Sequence, residues 1–209
     1  MTKLQKLIVL IVLSLSVYFV YQKTNNSKYK ILNINDNSNK KNSYIYYYEK
    51  ELLKTKKEVI IDNNYSKKNQ TINNLLFTIK NTSEIKAQLI NTDQLIISLG
   101  YNDLLFNIAI SEKDLNKIIN DIEKDFNRTI REIRKYYHKP IIVIGYPSTK
   151  TNNNFLNQGL KKLNKRLRKN QNIEYIDIYN YYNRNKKVPK DKYQYIISHK
   201  IISKTLEIS

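Results

Sequence analysis

The feature that most constrains this chain is an alternation. Five short runs rich in Ile and Val recur along it: Tyr29–Ile34, Glu58–Asp62, Gln94–Leu99, Pro140–Gly145 and Ile173–Ile178. None alternates strictly between apolar and polar, which suits strands covered on both faces. Helical patterns separate them. Ser43–Thr55 carries Tyr44, Tyr47, Tyr48 and Leu52 on one side. Ser111–His138 carries a stripe of Leu115, Ile118, Ile119, Ile122, Phe126, Ile130, Ile133 and Tyr137. Ser111 is placed to cap that helix with Asp114 as its partner, and Pro140 to stop it. Leu156, Leu160, Leu163 and Leu167 mark another helix, and Ile197, Ile201, Ile202 and Leu206 the last. Strand–helix alternation predicts a parallel five-stranded sheet in a three-layer α/β/α sandwich. Ligands in such sheets sit beyond the carboxyl ends of the strands. That singles out Asn35–Ser38, Asn63–Asn69, Gly100–Asp103, Tyr146–Ser148 and the segment before the last helix.

The first residues are of another kind. Lys3 and Lys6 precede an uncharged run from Leu7 to Tyr21. As a helix it reaches about 22 Å, short of a bilayer core of ~30 Å unless its flanks help. Tyr18, Tyr21 and the neighbouring Lys are suited to anchor it at the interface. No small-residue cleavage pattern follows, and no polar face runs along it. Residues 1–22 therefore read as a signal-anchor or transmembrane helix, 23–29 as a linker and 30–209 as one α/β domain. Lys residues are denser after the run than before it, which by count alone keeps the domain inside. Long domains translocate largely regardless of charge, so an extracytoplasmic, cell-surface domain is the expectation.

Lys and Arg number 37 against 18 Asp and Glu, a formal charge of +19. The lysines are spread through every segment, in a chain crowded with Asn, Ile and Tyr as AT-rich bacterial genomes encode. The charge reads as a solvated basic surface rather than a nucleic-acid site. Its densest stretch is Lys161, Lys162, Lys165, Arg166, Arg168 and Lys169, where anionic polymer is the functional alternative. There is no Cys, so disulfides, thiolate metal sites and a Cys nucleophile are excluded. Two His with no carboxylate cluster at ligand spacing predict no metal site, and no cofactor is expected.

Chemistry concentrates after the third strand, in Asp93-Gln-Leu-Ile-Ile-Ser-Leu-Gly-Tyr-Asn-Asp-Leu-Leu105. Gly100 permits a tight turn there, and Asn102 offers an amide at the sheet edge. This block resembles the third block of the SGNH/GDSL hydrolases, a strand followed by Gly-x-Asn-Asp, and the order of elements over 30–207 fits that family. The resemblance implies a flavodoxin-like sandwich of the SGNH type, with Asn102 and Gly100 at an oxyanion hole. Donors placed where charge develops contribute about 10²–10³ in rate. Asn69 aligns with the glycine of the second block, and Asn is the residue best suited to replace Gly in a left-handed backbone.

The remaining blocks depart from the family. Where Gly-Asp-Ser-Leu is expected, the chain has Asn35-Asp36-Asn37-Ser38. Asn37 falls on the nucleophile position, and an amide cannot be activated to attack a carbonyl. Ser38 is one residue late. Counting back from Ser198 and His199 puts Tyr193 on the catalytic His position and Lys190 on that of the Asp; Asp191 is off spacing. A Tyr is a poor base at neutral pH. The expected function is a degenerate hydrolase-like binding or scaffolding module at the cell envelope, for an acylated glycan, lipid or cell-wall ligand. The alternatives are an active serine esterase or deacetylase using Ser38 with His199, and a basic anchored protein that binds anionic polymer.

Overall fold

The computed structural model describes residues 5, 9–17, 28–36, 43–56, 58–107, 111–149, 154–179 and 190–208. Five strands form one parallel sheet: β1 (Tyr29–Asn35), β2 (Val59–Asp62), β3 (Gln94–Ser98), β4 (Ile141–Ile144) and β5 (Glu174–Ile176). Their order is β2-β1-β3-β4-β5. The chain steps outward from β1 to β2 and returns across β1 to β3, so the crevice between the carboxyl ends of β1 and β3 is the topological switch point.

Side chains leave the strands alternately for two cores. Leu32, Ile34, Leu95, Ile97, Ile141 and Val143 enter the larger one. It is closed by α2 (Ile72–Asn81), α3 (Ser83–Ile90), α4 (Tyr101–Phe106), α5 (Glu112–Ile133) and α6 (Asn154–Arg168). Ile31, Ile96, Ile142 and Ile144 enter the other, under α1 (Tyr44–Leu52) and α7 (Lys190–Ile208). The expected three layers are present.

Several boundaries differ from expectation. The two short helices α2 and α3, which meet at Thr82, were not expected. Ser111 caps α5 by accepting from the Asp114 N–H (3.1 Å), and its hydroxyl donates back to the Asp114 carboxylate. The helix ends at Ile133 rather than at His138. Tyr137 still extends the buried stripe because its hydroxyl has a task of its own. It accepts from the Leu95 N–H (3.1 Å) and donates to the Pro140 carbonyl (3.1 Å), joining the starts of β3 and β4.

Residues 9–17 are helical, with Leu10 and Val17 about two-thirds exposed. Among the described residues no helix is long and apolar enough to cross a membrane. Residues 1–4, 6–8 and 18–22 of the expected anchor and 23–27 of the expected linker lie outside the described residues.

Candidate functional site

At the switch point, β3 ends in a turn that only glycine enters freely: Gly100 has φ +126°. A Cβ there would also press on Leu163 and Ile72. The turn starts α4, whose first residues carry the polar groups. Asn102 is buried, and its amide donates to the Gln70 carbonyl at 3.0 Å. Asp103 accepts from the Ile72 N–H, at 3.1 and 3.2 Å to its two oxygens, and so holds the first turn of α2. The β2–α2 loop is thereby fastened to the end of β3. Within that loop Asn69 takes φ 64°, the one positive value at a non-glycine among the described residues.

Two half-buried carboxyls stand at this edge. Burial pushes Asp36, directly after β1, up to about 6, and the charge of Asp103 adds to the effect. Burial likewise raises Asp103 to about 6, against the stabilising Ile72 N–H. The Tyr146 hydroxyl, after β4, is raised by burial and then by the charges of Asp36 and Asp103. Beneath this rim runs a buried polar network on β1. The Tyr44 hydroxyl donates to Asn33 (2.9 Å) and accepts from Asn35 (3.3 Å). Ser66 accepts from the Asn35 N–H (3.0 Å) and donates to the Asn33 carbonyl (2.7 Å), while Asn33 donates to Asn63.

No family model matches the chain, and no curated protein matches it in sequence. Solved structures do resemble it. A lipase from a goat rumen metagenome superposes with a TM-score of 0.68 at 15% identity, covering 84% of this chain and 96% of that one. A catalytic mutant of an acetylxylan esterase from Geobacillus stearothermophilus gives 0.63 at 12% identity, over 84% and 93%. A lipase/acylhydrolase from Enterococcus faecalis gives 0.58 at 15%, over 84% and 94%.

The fold is that of the SGNH/GDSL hydrolases.

In the SGNH/GDSL frame, Asn102, Gly100 and Asn69 stand together on the β3 and β2–α2 loops. Asn37 and Ser38 lie outside the described residues, as does the segment just before α7. Lys190 and Asp191 open α7; their side chains are not described. Tyr193 faces inward, in the core shared with Tyr48, Ile142 and Ile197. A phenol in that apolar layer is placed for packing rather than for taking a proton from a ligand. His199 is exposed two turns further along α7, its ring 4.2 Å from that of Tyr195. Tyr195 in turn packs edge-on to Tyr47 at 6.0 Å, which places His199 against the flank of α1. His138 lies beyond the end of α5, in a cleft with Pro140 and Ile141 at the amino edge of β4.

Asp36, Asp103 and Tyr146 lie in segments that the sequence singles out, but the sequence assigns none of them a role at the site. Asp103 had a signal, as the second acid-or-amide position of Gly-x-Asn-Asp. The network of Asn33, Tyr44 and Ser66 had only one: an Asn in the middle of an apolar strand. The described site holds amide and carboxyl groups suited to polar ligand atoms, with no imidazole among them. No group of described residues could hold a metal ion.

Proposed function

We propose that this chain is a catalytically degenerate SGNH-fold module that binds a ligand at the carboxyl edge of its sheet without cleaving it. The position of the two histidines carries this reading. The chain has two in all, and both are described. One sits at the amino edge, the other against the flank of α1, so neither serves as a base next to Asn102. With Asn37 at the nucleophile position, the attacking hydroxyl is replaced as well. The fastened loops, with their left-handed Asn69 and Gly100, keep a frame for a polarised carbonyl. An acylated glycan or lipid is the ligand class that frame suits. The helix at 9–17, whose large apolar residues are all exposed among the described residues, supports an N-terminal membrane anchor within residues 1–22, a linker over 23–29 and a domain over 30–209 at the cell surface.

The same frame supports the competing reading, an esterase that uses Ser38. The two are separated by assaying the full chain in detergent with p-nitrophenyl acetate and with a fluorophosphonate probe. The binding-module reading expects no turnover above that of Asn102→Ala and no label on Ser38. Hydrolysis that Asn102→Ala abolishes, with Ser38 labelled, would overturn it.

A further inference from the structure

A cavity lies on the opposite rim of the molecule, at the amino edge, where α5 and α6 end. The two helices run side by side in the same direction, and a ladder of polar pairs joins them. Lys162 reaches Glu112 (3.0 Å) and Asn116 (2.9 Å), Arg166 pairs with Glu123, and Asn170 donates to Asn127 (2.8 Å). In this stretch Lys162 and Arg166 of α6 each meet an acid on α5. One turn beyond Glu123 the seam has no acid on its wall. The seam opens into a cavity of about 770 Å³ whose walls carry Arg131, Arg134 and Lys169, with Glu123 as the one carboxylate and that already paired to Arg166. Among the described residues neither Arg131 nor Lys169 has an ion pair. Arg134 donates to the carbonyls of Lys139 (2.6 Å) and Asn172 (2.7 Å), which fixes its charge at the cavity wall. The amides of Asn127, Asn170, Gln171 and Asn172 line the rest.

Cations gather at helix C-termini because the dipole favours them there. That accounts for Arg131 in the last turn of α5, but not for a cavity lined by four cations, four amides and a single carboxylate already paired to Arg166. Guanidinium and amide N–H groups match phosphate oxygens in geometry and charge. The volume lies in the range of sites that hold a ligand of drug size, far beyond one phosphate.

We infer that this cavity binds a linear phosphodiester polymer, holding successive phosphates between Arg131 on α5 and Lys169 after α6. The site is distinct from the carboxyl edge and needs no chemistry there.

The test uses the full chain in detergent, titrated with a synthetic glycerol-phosphate oligomer and, separately, with inorganic phosphate. The double variant Arg131→Gln/Lys169→Gln loses about tenfold in oligomer affinity. The slope of log affinity against log salt falls by roughly 1.4, two contacts at about 0.7 each for a flexible polyanion. The double variant Lys161→Gln/Lys165→Gln removes the same charge from exposed positions outside the cavity, and it keeps the oligomer affinity. An equal loss in both double variants would reduce the effect to overall charge and overturn the site. So would oligomer binding no tighter than that of inorganic phosphate, or none at all. Both positions of the first variant are exposed, so unchanged circular dichroism is expected in each protein.

Discussion

The side-chain amide of Asn102 donates to the main-chain carbonyl of Gln70 across 3.0 Å, one residue beyond the left-handed Asn69. An amide nitrogen has two hydrogens, so this bond leaves one for a ligand. Replacing Asn102 by Ala strands the buried Gln70 carbonyl. The expected cost is about 1–3 kcal/mol of folding stability, together with loss of ligand binding at the edge. Urea denaturation checks the first effect. A variant as stable as the parent would show that the amide does not hold the loop.

The buried acids set a pH dependence. Asp36 and Asp103 bind their protons more tightly in the folded chain, at about 6, than their ordinary value of 3.8. Between roughly pH 4 and pH 6 the native state therefore holds more protons than the unfolded one, and stability falls as pH rises through that window. Asp36→Asn mimics the protonated form and is expected to flatten its share of the slope. Urea midpoints at pH 4.5 and pH 7 for both proteins measure this; an unchanged difference between the two pH values would refute it.

Ser66 serves two main-chain groups of β1 at once, accepting from the Asn35 N–H and donating to the Asn33 carbonyl. Ser66→Ala leaves both without that hydroxyl in a buried place. A loss of about 2–4 kcal/mol is expected in chemical denaturation, well above the usual effect of removing one hydroxyl. Ser66→Thr keeps the hydroxyl and is expected to retain part of the stability.

At Gly145 an added Cβ would overlap the Tyr175 hydroxyl and lie 2.8 Å from the side-chain amide oxygen of Asn164. The latter oxygen accepts from the Tyr146 N–H at 2.9 Å. Gly145→Ala is expected to cost about 1–3 kcal/mol through overpacking. A Tyr175→Phe background removes the nearest atom and should recover part of the loss. No recovery would place the strain on Asn164 and the aromatic ring of residue 175, whose Cζ also lies 2.8 Å from the added Cβ.

Much of the fold was legible because covered parallel strands must be apolar on both faces, and the Ile and Val runs at 94–99 and 140–145 could be little else. The helices α2 and α3 escaped because each is short and a single residue, Thr82, separates them, so neither builds a long stripe. The end of α5 was misread for the opposite reason. Tyr137 continues the stripe after the helix has stopped, because a turn can bury a side chain on the same side. At the site, Gly100, Asn102 and Asp103 are contiguous, and one local pattern carries all three. Asn33, Tyr44 and Ser66 meet only once the sheet is assembled, from positions as much as 33 residues apart. Tyr193 shows the limit of counting along a motif. The helix that bears it begins at Lys190, and the turn of that helix directs position 193 into the core.

The phenol of Tyr137 has a reach that its place on the floor of the sheet conceals. It pins the first peptide of β3 to the residue before β4, and so works as a registration peg for the two strands. Side chains along a strand change sides at every step, so a slip of one residue in β4 would swap every side chain it presents. Tyr146 would then leave its place at the carboxyl edge, although it stands a whole strand length from the peg. What the upper rim offers to a visiting molecule thus depends on a register that this hydroxyl, at the far end of the sheet, helps to hold.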